Sequence, residues 1–140
     1  MKQTIMKGHK AALDTNVLIY LYDSSNSGKR NIALDLLSEK PQIPGQVISE
    51  CLNTLRRLLP MTKEDLLIHA ANLFGGCNII PILPTTLSSA SLLIKQYQFQ
   101  LFYAVIVASA IQGGCDVLYS EDMQHQLSVN KSLRIINPFI

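Results

Sequence analysis

The chain alternates short apolar runs with longer segments whose apolar positions recur every three or four residues. "KAAL" is a brief apolar run that stops on a charge, Asp14, and reads as a buried strand. "TNVLIYLY" follows as a helix, with Asp14 or Thr15 placed to cap it. After a "SSNSG" loop, "KRNIALDLLSEK" carries Ile32, Ala33, Leu36 and Leu37 at helical spacing. "PQIP" is a short strand between prolines. "GQVISECLNTLRRLL" is a helix with Val47, Ile48, Cys51, Leu52, Leu55, Leu58 and Leu59 on one side, stopped by Pro60. "TKED" is a capping box that opens the next helix from Thr62, and Gly75-Gly76 closes it. "CNIIPIL" is a strand, "TLSSASLLIKQYQ" a helix, and "LFYAVIVASAIQ" a more apolar helix closed by Gly113-Gly114. "DVLYS" is a strand leading into "EDMQHQ", and "LRIIN" is the last strand. Strands alternating with helices predict βα units and a mostly parallel sheet covered on both faces.

Composition narrows this picture mainly by exclusion. With 140 residues, 48% of them hydrophobic and 16% charged, the chain suits a single folded domain rather than disorder. That domain is expected over residues 11–140, after an N-terminal extension of residues 1–10. The net charge of +2 does not by itself imply a nucleic-acid partner, and the basic pairs Lys29-Arg30 and Arg56-Arg57 also suit solvated helix surface. Cys51, Cys77 and Cys115 lack zinc-ligand spacing and read as buried thiols in a reducing cytosol. "MKQTIMKGHK" has no apolar core of signal-peptide length, and "FYAVIVASAI" is too short to cross a bilayer. The expectation is a soluble, cytoplasmic protein without a membrane association.

The charge between two apolar runs at Asp14 needs a reason. Asp14 follows one strand directly, and Asp122 lies two residues beyond "VLYS". In an open parallel sheet the carboxyl ends of the strands form the ligand crevice, so neighbouring strands would bring these acids together. Glu50 interrupts the apolar row of its helix, six residues beyond Pro44, and Asn53 shares its face. Gathered carboxylates repel unless a cation lies between them. Oxygen donors without spaced Cys or His suit Mg²⁺ or Mn²⁺, ions that activate water and stabilise charge on a phosphoryl oxygen. Simpler roles stay open: Asp14 as a helix N-cap, Asp122 as a loop acid, Glu50 and Asn53 as a solvent-facing pair.

"ALDTNVLIYLYD", "VISECLNTLRR" and "GCDVLYSEDMQ", in that order and with the closing "LRIINPF", resemble the PIN domain, specifically the VapC-type toxins of toxin–antitoxin pairs. The resemblance implies a three-layer α/β/α sandwich with a mostly parallel five-stranded sheet in the order 3-2-1-4-5. It implies a Mg²⁺- or Mn²⁺-dependent endoribonuclease acting on RNA, a homodimer, held inactive by an antitoxin protein. It makes Asp14, Glu50 and Asp122 the catalytic metal ligands and Ser120 the hydroxyl residue of the last motif. Thr15, Asn16 and Asn53 then line the site.

One family position departs from the pattern. The helix that usually carries an Asp in "FYDALIVAAAL" here reads "LFYAVIVASAI", which puts Tyr103 at that position. Residues 66–115 contain no Asp or Glu to take its place. Tyr103 is expected to line the site with its hydroxyl on Asp14 or Asp122. Arg56 and Arg57, six and seven residues beyond Glu50, stand about 10 Å further along the helix and are candidates to meet RNA phosphates. Asp116 and Glu121 are expected outside the cluster, Glu121 towards solvent or the pocket edge. Two other functions compete: a catalytically degenerate PIN domain that binds RNA or protein, and a phosphate- or nucleotide-binding α/β domain. The latter lacks a Gly-rich phosphate loop, since "SSNSGKRN" has a single Gly and does not follow a strand.

Overall fold

A computed structural model describes residues 8–140. Of the expected N-terminal extension, residues 1–7 lie outside the described residues, and residues 8–10 lead into the first strand. The elements are β1 (Ala11–Leu13), α1 (Thr15–Ile19), α2 (Ser27–Ser38), β2 (Gln42–Pro44), α3 (Gly45–Leu58), α4 (Lys63–Phe74), β3 (Asn78–Ile80), α5 (Pro84–Tyr97), α6 (Leu101–Gln112), β4 (Val117–Tyr119), β5 (Ser128–Val129) and β6 (Leu133–Ile136). A 3₁₀ turn over Tyr20–Tyr22 extends α1, so "TNVLIYLY" is helical throughout but tightens at its end.

The sheet runs β3-β2-β1-β4-β6-β5. Its five parallel strands stand in the expected 3-2-1-4-5 order, with β6 as the fifth, and helices cover both faces in a three-layer α/β/α arrangement. The addition is β5, a two-residue strand antiparallel to β6 through Ser128↔Arg134 and Val129↔Leu133. A strand so brief leaves no periodic signal in the sequence. Strand β3 is shorter than "CNIIPIL" because Pro81 follows Ile80 and has no N–H for the ladder. Helix α2 starts earlier than expected: the Asn26 side chain accepts the Lys29 N–H at 3.2 Å and draws Ser27 and Gly28 into the first turn. Helix α5 likewise gains Pro84 at its first position.

Helix α6 is the central buried helix. Ala104 to Ala110 are all buried, and it packs on α5, α3 and the strands β2, β3 and β4. Small and β-branched residues all round this helix let it approach both sheet and neighbours. In α3 the apolar face runs through Val47, Cys51 and Leu55, but Leu58 is 58% exposed. The expected stripe therefore ends one turn early, where the helix runs past its neighbours. No helix among the described residues is long and apolar enough to cross a membrane.

Candidate active site

The chain order reverses between β1 and β4: β2 and β3 lie on one side of β1, and β4 and β6 on the other. Leu13 and Tyr119 are paired at the ends of these two strands, so the residues that follow them, Asp14 and Ser120, emerge side by side. The ladder carries one step further, with Asp14 N–H donating to the Tyr119 carbonyl at 2.9 Å. Ser120 Oγ donates to Asp14 Oδ2 at 2.7 Å, and Thr15 N–H donates to Asp14 Oδ1 at 2.7 Å. Asp14 is therefore both the N-cap of α1 and a buried acid in the crevice, 2% exposed. Burial pushes its carboxyl up to about 6; the bonds from Ser120 and Thr15 pull the other way, and the charges of Glu50 and Asp122 add to the rise.

Thr15 links the first acid to the second. Its Oγ1 donates to Glu50 Oε1 at 2.6 Å. Gln46, one turn before Glu50 on α3, holds the other carboxylate oxygen through Nε2 at 3.0 Å. Sequence reasoning missed Gln46, although its spacing of four residues from Glu50 is the signal that could have found it. Asn16, in the first turn of α1, reaches the last acid by donating from Nδ2 to Asp122 Oδ2. Tyr103 stands at the first turn of α6, partly buried, and its hydroxyl donates to the same oxygen at 3.4 Å. Burial raises the Tyr103 phenol above its ordinary value, as do the charges of Asp122, Asp14 and Glu50.

Asn53 lies apart from these contacts. It is exposed, and its Oδ1 accepts from Arg56 Nε at 2.9 Å. With Leu52, Arg56, Arg57, Met61, Lys63 and Leu66 it lines a groove of about 570 Å³ between α3 and α4. Asp116 is at the opposite end of β4, where its Oδ2 meets His9 Nδ1 at 3.1 Å. Glu121 turns away from Asp122 and is held rather than free: Lys29 Nζ donates to its Oε2 at 2.5 Å and Tyr20 OH to its Oε1 at 2.6 Å. Burial raises the Glu121 carboxyl, but the bonds from Lys29 and Tyr20 outweigh it and bring the group below its usual range. Lys29 also sits over the Tyr20 ring at 4.7 Å and near Phe139 at 5.4 Å. This clamp ties α2 to the loop that carries Asp122. The long separation of Lys29 from Glu121 hides it from local pattern reading.

The donors around the crevice are carboxylates, hydroxyls and amides, the hard oxygen set that suits a divalent cation such as Mg²⁺. Cys51, next to Glu50, offers no thiolate: burial pushes it up to about 12, with Glu50 and Asp14 adding to the rise. Among the described residues, however, no group of three Asp, Glu, His or Cys side chains is spaced to hold one ion as they stand. The residues fit a hard cation in kind, and their present hydrogen bonds hold the carboxylates to neutral neighbours.

The sequence profile of the PIN domain matches residues 11–129. Among solved structures, a toxin–antitoxin complex from Klebsiella pneumoniae is similar over 92% of this chain and 98% of that one, with a TM-score of 0.70 and 20% identity. Mycobacterium tuberculosis VapC20, a toxin that cleaves the sarcin–ricin loop, is similar over 81% and 90%, with a TM-score of 0.63 and 17% identity. The VapBC2 complex of Rickettsia felis, bound to a DNA fragment of its promoter, covers 89% and 96% at the same TM-score and identity. Curated protein sequences give no significant match. The likeness to these structures is one of fold.

Proposed function

Because the chain belongs to the PIN domain family, we propose that it is a metal-dependent endoribonuclease of the toxin–antitoxin type, acting in the cytoplasm. The observation that carries this reading is the arrangement at the β1–β4 reversal. Ser120 fixes Asp14, and Thr15 and Asn16, directly after it, reach Glu50 and Asp122. These bonds hold the three carboxylates to Thr15, Asn16 and Ser120 around the β1–β4 reversal, which supports a shared crevice.

Asp14, Glu50 and Asp122 are the residues that would hold Mg²⁺ or Mn²⁺. When bound, such an ion supplies Lewis acidity and positive charge against a phosphoryl oxygen. The chain's own residues do the positioning. Ser120, directly after β4, and the Thr15 N–H, at the start of α1, orient the Asp14 carboxylate. Gln46 and Thr15 fix both oxygens of Glu50. Arg56 and Arg57, in the last turn of α3, place positive charge beside the crevice for flanking phosphates. Asn53 orients Arg56.

Two protein partners go with this reading: an antitoxin, as in the Klebsiella pneumoniae complex, and a second copy of the chain. Exposed apolar side chains support protein association, with Leu58, Leu67 and Ile68 on α3 and α4, and Ile79, Leu83 and Leu87 around β3 and the start of α5. A second reading, a PIN domain that binds RNA without cutting it, is favoured by Tyr103, which places a neutral group on Asp122.

The deciding experiment is an RNA cleavage assay with Mg²⁺, Mn²⁺ or chelator, on the unaltered chain and on Asp14→Asn and Glu50→Gln. Internal cleavage that needs the cation and is lost in both variants is the expected result. RNA retention without cleavage under every metal condition would establish the binding reading instead.

A further inference from the structure

Three carboxylates stand around the β1–β4 reversal without being spaced to share one ion as they stand, and each is satisfied by donors of the chain itself. Asp14 accepts from the Thr15 N–H and the Ser120 hydroxyl. Glu50 accepts from the Thr15 hydroxyl and the Gln46 amide. Asp122 accepts from the Asn16 amide and the Tyr103 hydroxyl. Every one of these donors is neutral. Lys29 does not supply the missing charge, because its ammonium is engaged by Glu121 and Tyr20. Neutral donors orient carboxylates and ease their desolvation, but they leave the mutual repulsion of the charges in place.

Tyr103 differs from the other donors in reach. Its hydroxyl lies against Asp122 Oδ2, the oxygen that Asn16 also holds, and the charges of Asp14 and Glu50 reach it as well. A 3.4 Å contact is long for a bond between two oxygens, so the hydroxyl is a weak tie. The ring is the larger matter. A hard divalent cation at such a site keeps several of its waters and needs room for them. A phenol ring beside Asp122 competes for that room, and its neutral hydroxyl is a poor ligand in place of a charged oxygen.

We propose that Tyr103 sets the affinity of this crevice for divalent cations, its neutral ring and hydroxyl standing against Asp122 so that the site of Asp14, Glu50 and Asp122 takes a cation only weakly. The proposal rests on the reading of the crevice as a cation site. Affinity is then governed by one side chain on α6 rather than by the carboxylates alone. A carboxylate at position 103 would add a negative oxygen donor and, being shorter, release space for the hydrated ion. A phenylalanine there would keep the volume and the neutrality while removing only the weak tie.

The test measures Mn²⁺ binding without RNA, by calorimetry and by the electron paramagnetic resonance signal of the free ion. It compares the unaltered chain, Tyr103→Asp and Tyr103→Phe, each checked for native circular dichroism and a cooperative melt. The expected result is that Tyr103→Asp binds Mn²⁺ more tightly by on the order of tenfold or more, and that Tyr103→Phe stays within about threefold of the unaltered chain. Comparable Mn²⁺ affinity of all three would overturn the proposal while leaving the nuclease reading intact. Tightening by Tyr103→Phe as large as that by Tyr103→Asp would also overturn it, by moving the control to the hydroxyl's hold on Asp122. Folded variants that bind no Mn²⁺ at all, Tyr103→Asp included, would sink both this proposal and the cation site on which it rests.

Discussion

Asp14 is an ionisable group almost wholly removed from water, and its titration makes a definite demand on stability. The folded carboxyl is raised to about 6 from an ordinary 3.8. Between those values the unfolded chain has lost its proton while the folded chain still holds one. Stability associated with the protonated acid is therefore present below pH 3.8, lost as pH rises, and gone above about 6. The difference corresponds to roughly 3 kcal/mol. In metal-free solution Asp14→Asn should remove this loss. The urea midpoint should rise at pH 7 by the equivalent of about 1–2 kcal/mol, because the amide still offers an oxygen to one of the two donors, and its decline between pH 4 and 6 should flatten. A midpoint that declines as steeply in the variant would assign the pH dependence to another group. The same substitution removes the first proposed ligand, so greater stability is expected to accompany loss of RNA cleavage.

At the scale of elements, two close approaches hold the site's supports in place. Gly113 closes α6 against β3, and a Cβ there would meet Ile80 Cδ1 at 2.6 Å and Cγ1 at 3.0 Å. Ile80 is 4% exposed and has little room to give. Gly113→Ala should therefore destabilise the protein by about 1–3 kcal/mol, and Ile80→Val in the same chain should recover part of the loss. Additive effects of the two changes in a double-mutant cycle would show that the contact is not the cause. The second approach is the Lys29–Glu121–Tyr20 clamp between α2 and the Asp122 loop. Both members of the ion pair are partly exposed, with side chains at 31% and 23%, so the pair is worth no more than about 1 kcal/mol overall. Its effect should be local. The Met123 N–H, which donates to Ser120 Oγ at 3.3 Å, should exchange faster in Lys29→Met while amides of β4 are unchanged. Equal protection at Met123 would show that the loop holds its own conformation.

Across the whole molecule the charge is close to balanced, at +2, so any hold on RNA has to come from local placement. Arg56, Arg57 and Lys63 gather along the groove between α3 and α4. If each arginine meets a phosphate, replacing both with Gln should weaken single-stranded RNA binding. It should also lower the slope of log affinity against log salt by about 0.7 for each phosphate no longer neutralised. An unchanged salt slope would instead leave these arginines to protein contacts or plain surface. Compactness, rather than net charge, holds the architecture: α6 joins the sheet to α3 and α5 through an unbroken buried run from Ala104 to Ala110.

The division of labour between sequence and tertiary structure follows from range. Periodicity, caps and helix stops are local, and they are sufficient for α3, α4, α6 and the order of βα units. The placement of Asp14 is legible because a charge directly after a buried strand is a local signal. Motif order along the chain further marks Asp14, Glu50, Asp122 and the departure at Tyr103. Other features depend on contacts between residues far apart in the chain. Ser120 meets Asp14, 106 positions away, only because Leu13 pairs with Tyr119. Glu121, adjacent to a crevice acid, is turned aside by Lys29, 92 positions earlier. Asn53, on the face expected to share the site with Glu50, is drawn to Arg56 and the α3–α4 groove. Local order and residue chemistry therefore determined which side chains are candidates for the proposed site. Strand register and the packing of α6 decided which partners each of them meets, because a hydrogen bond acts only over a few ångströms and only the folded chain brings such partners that close.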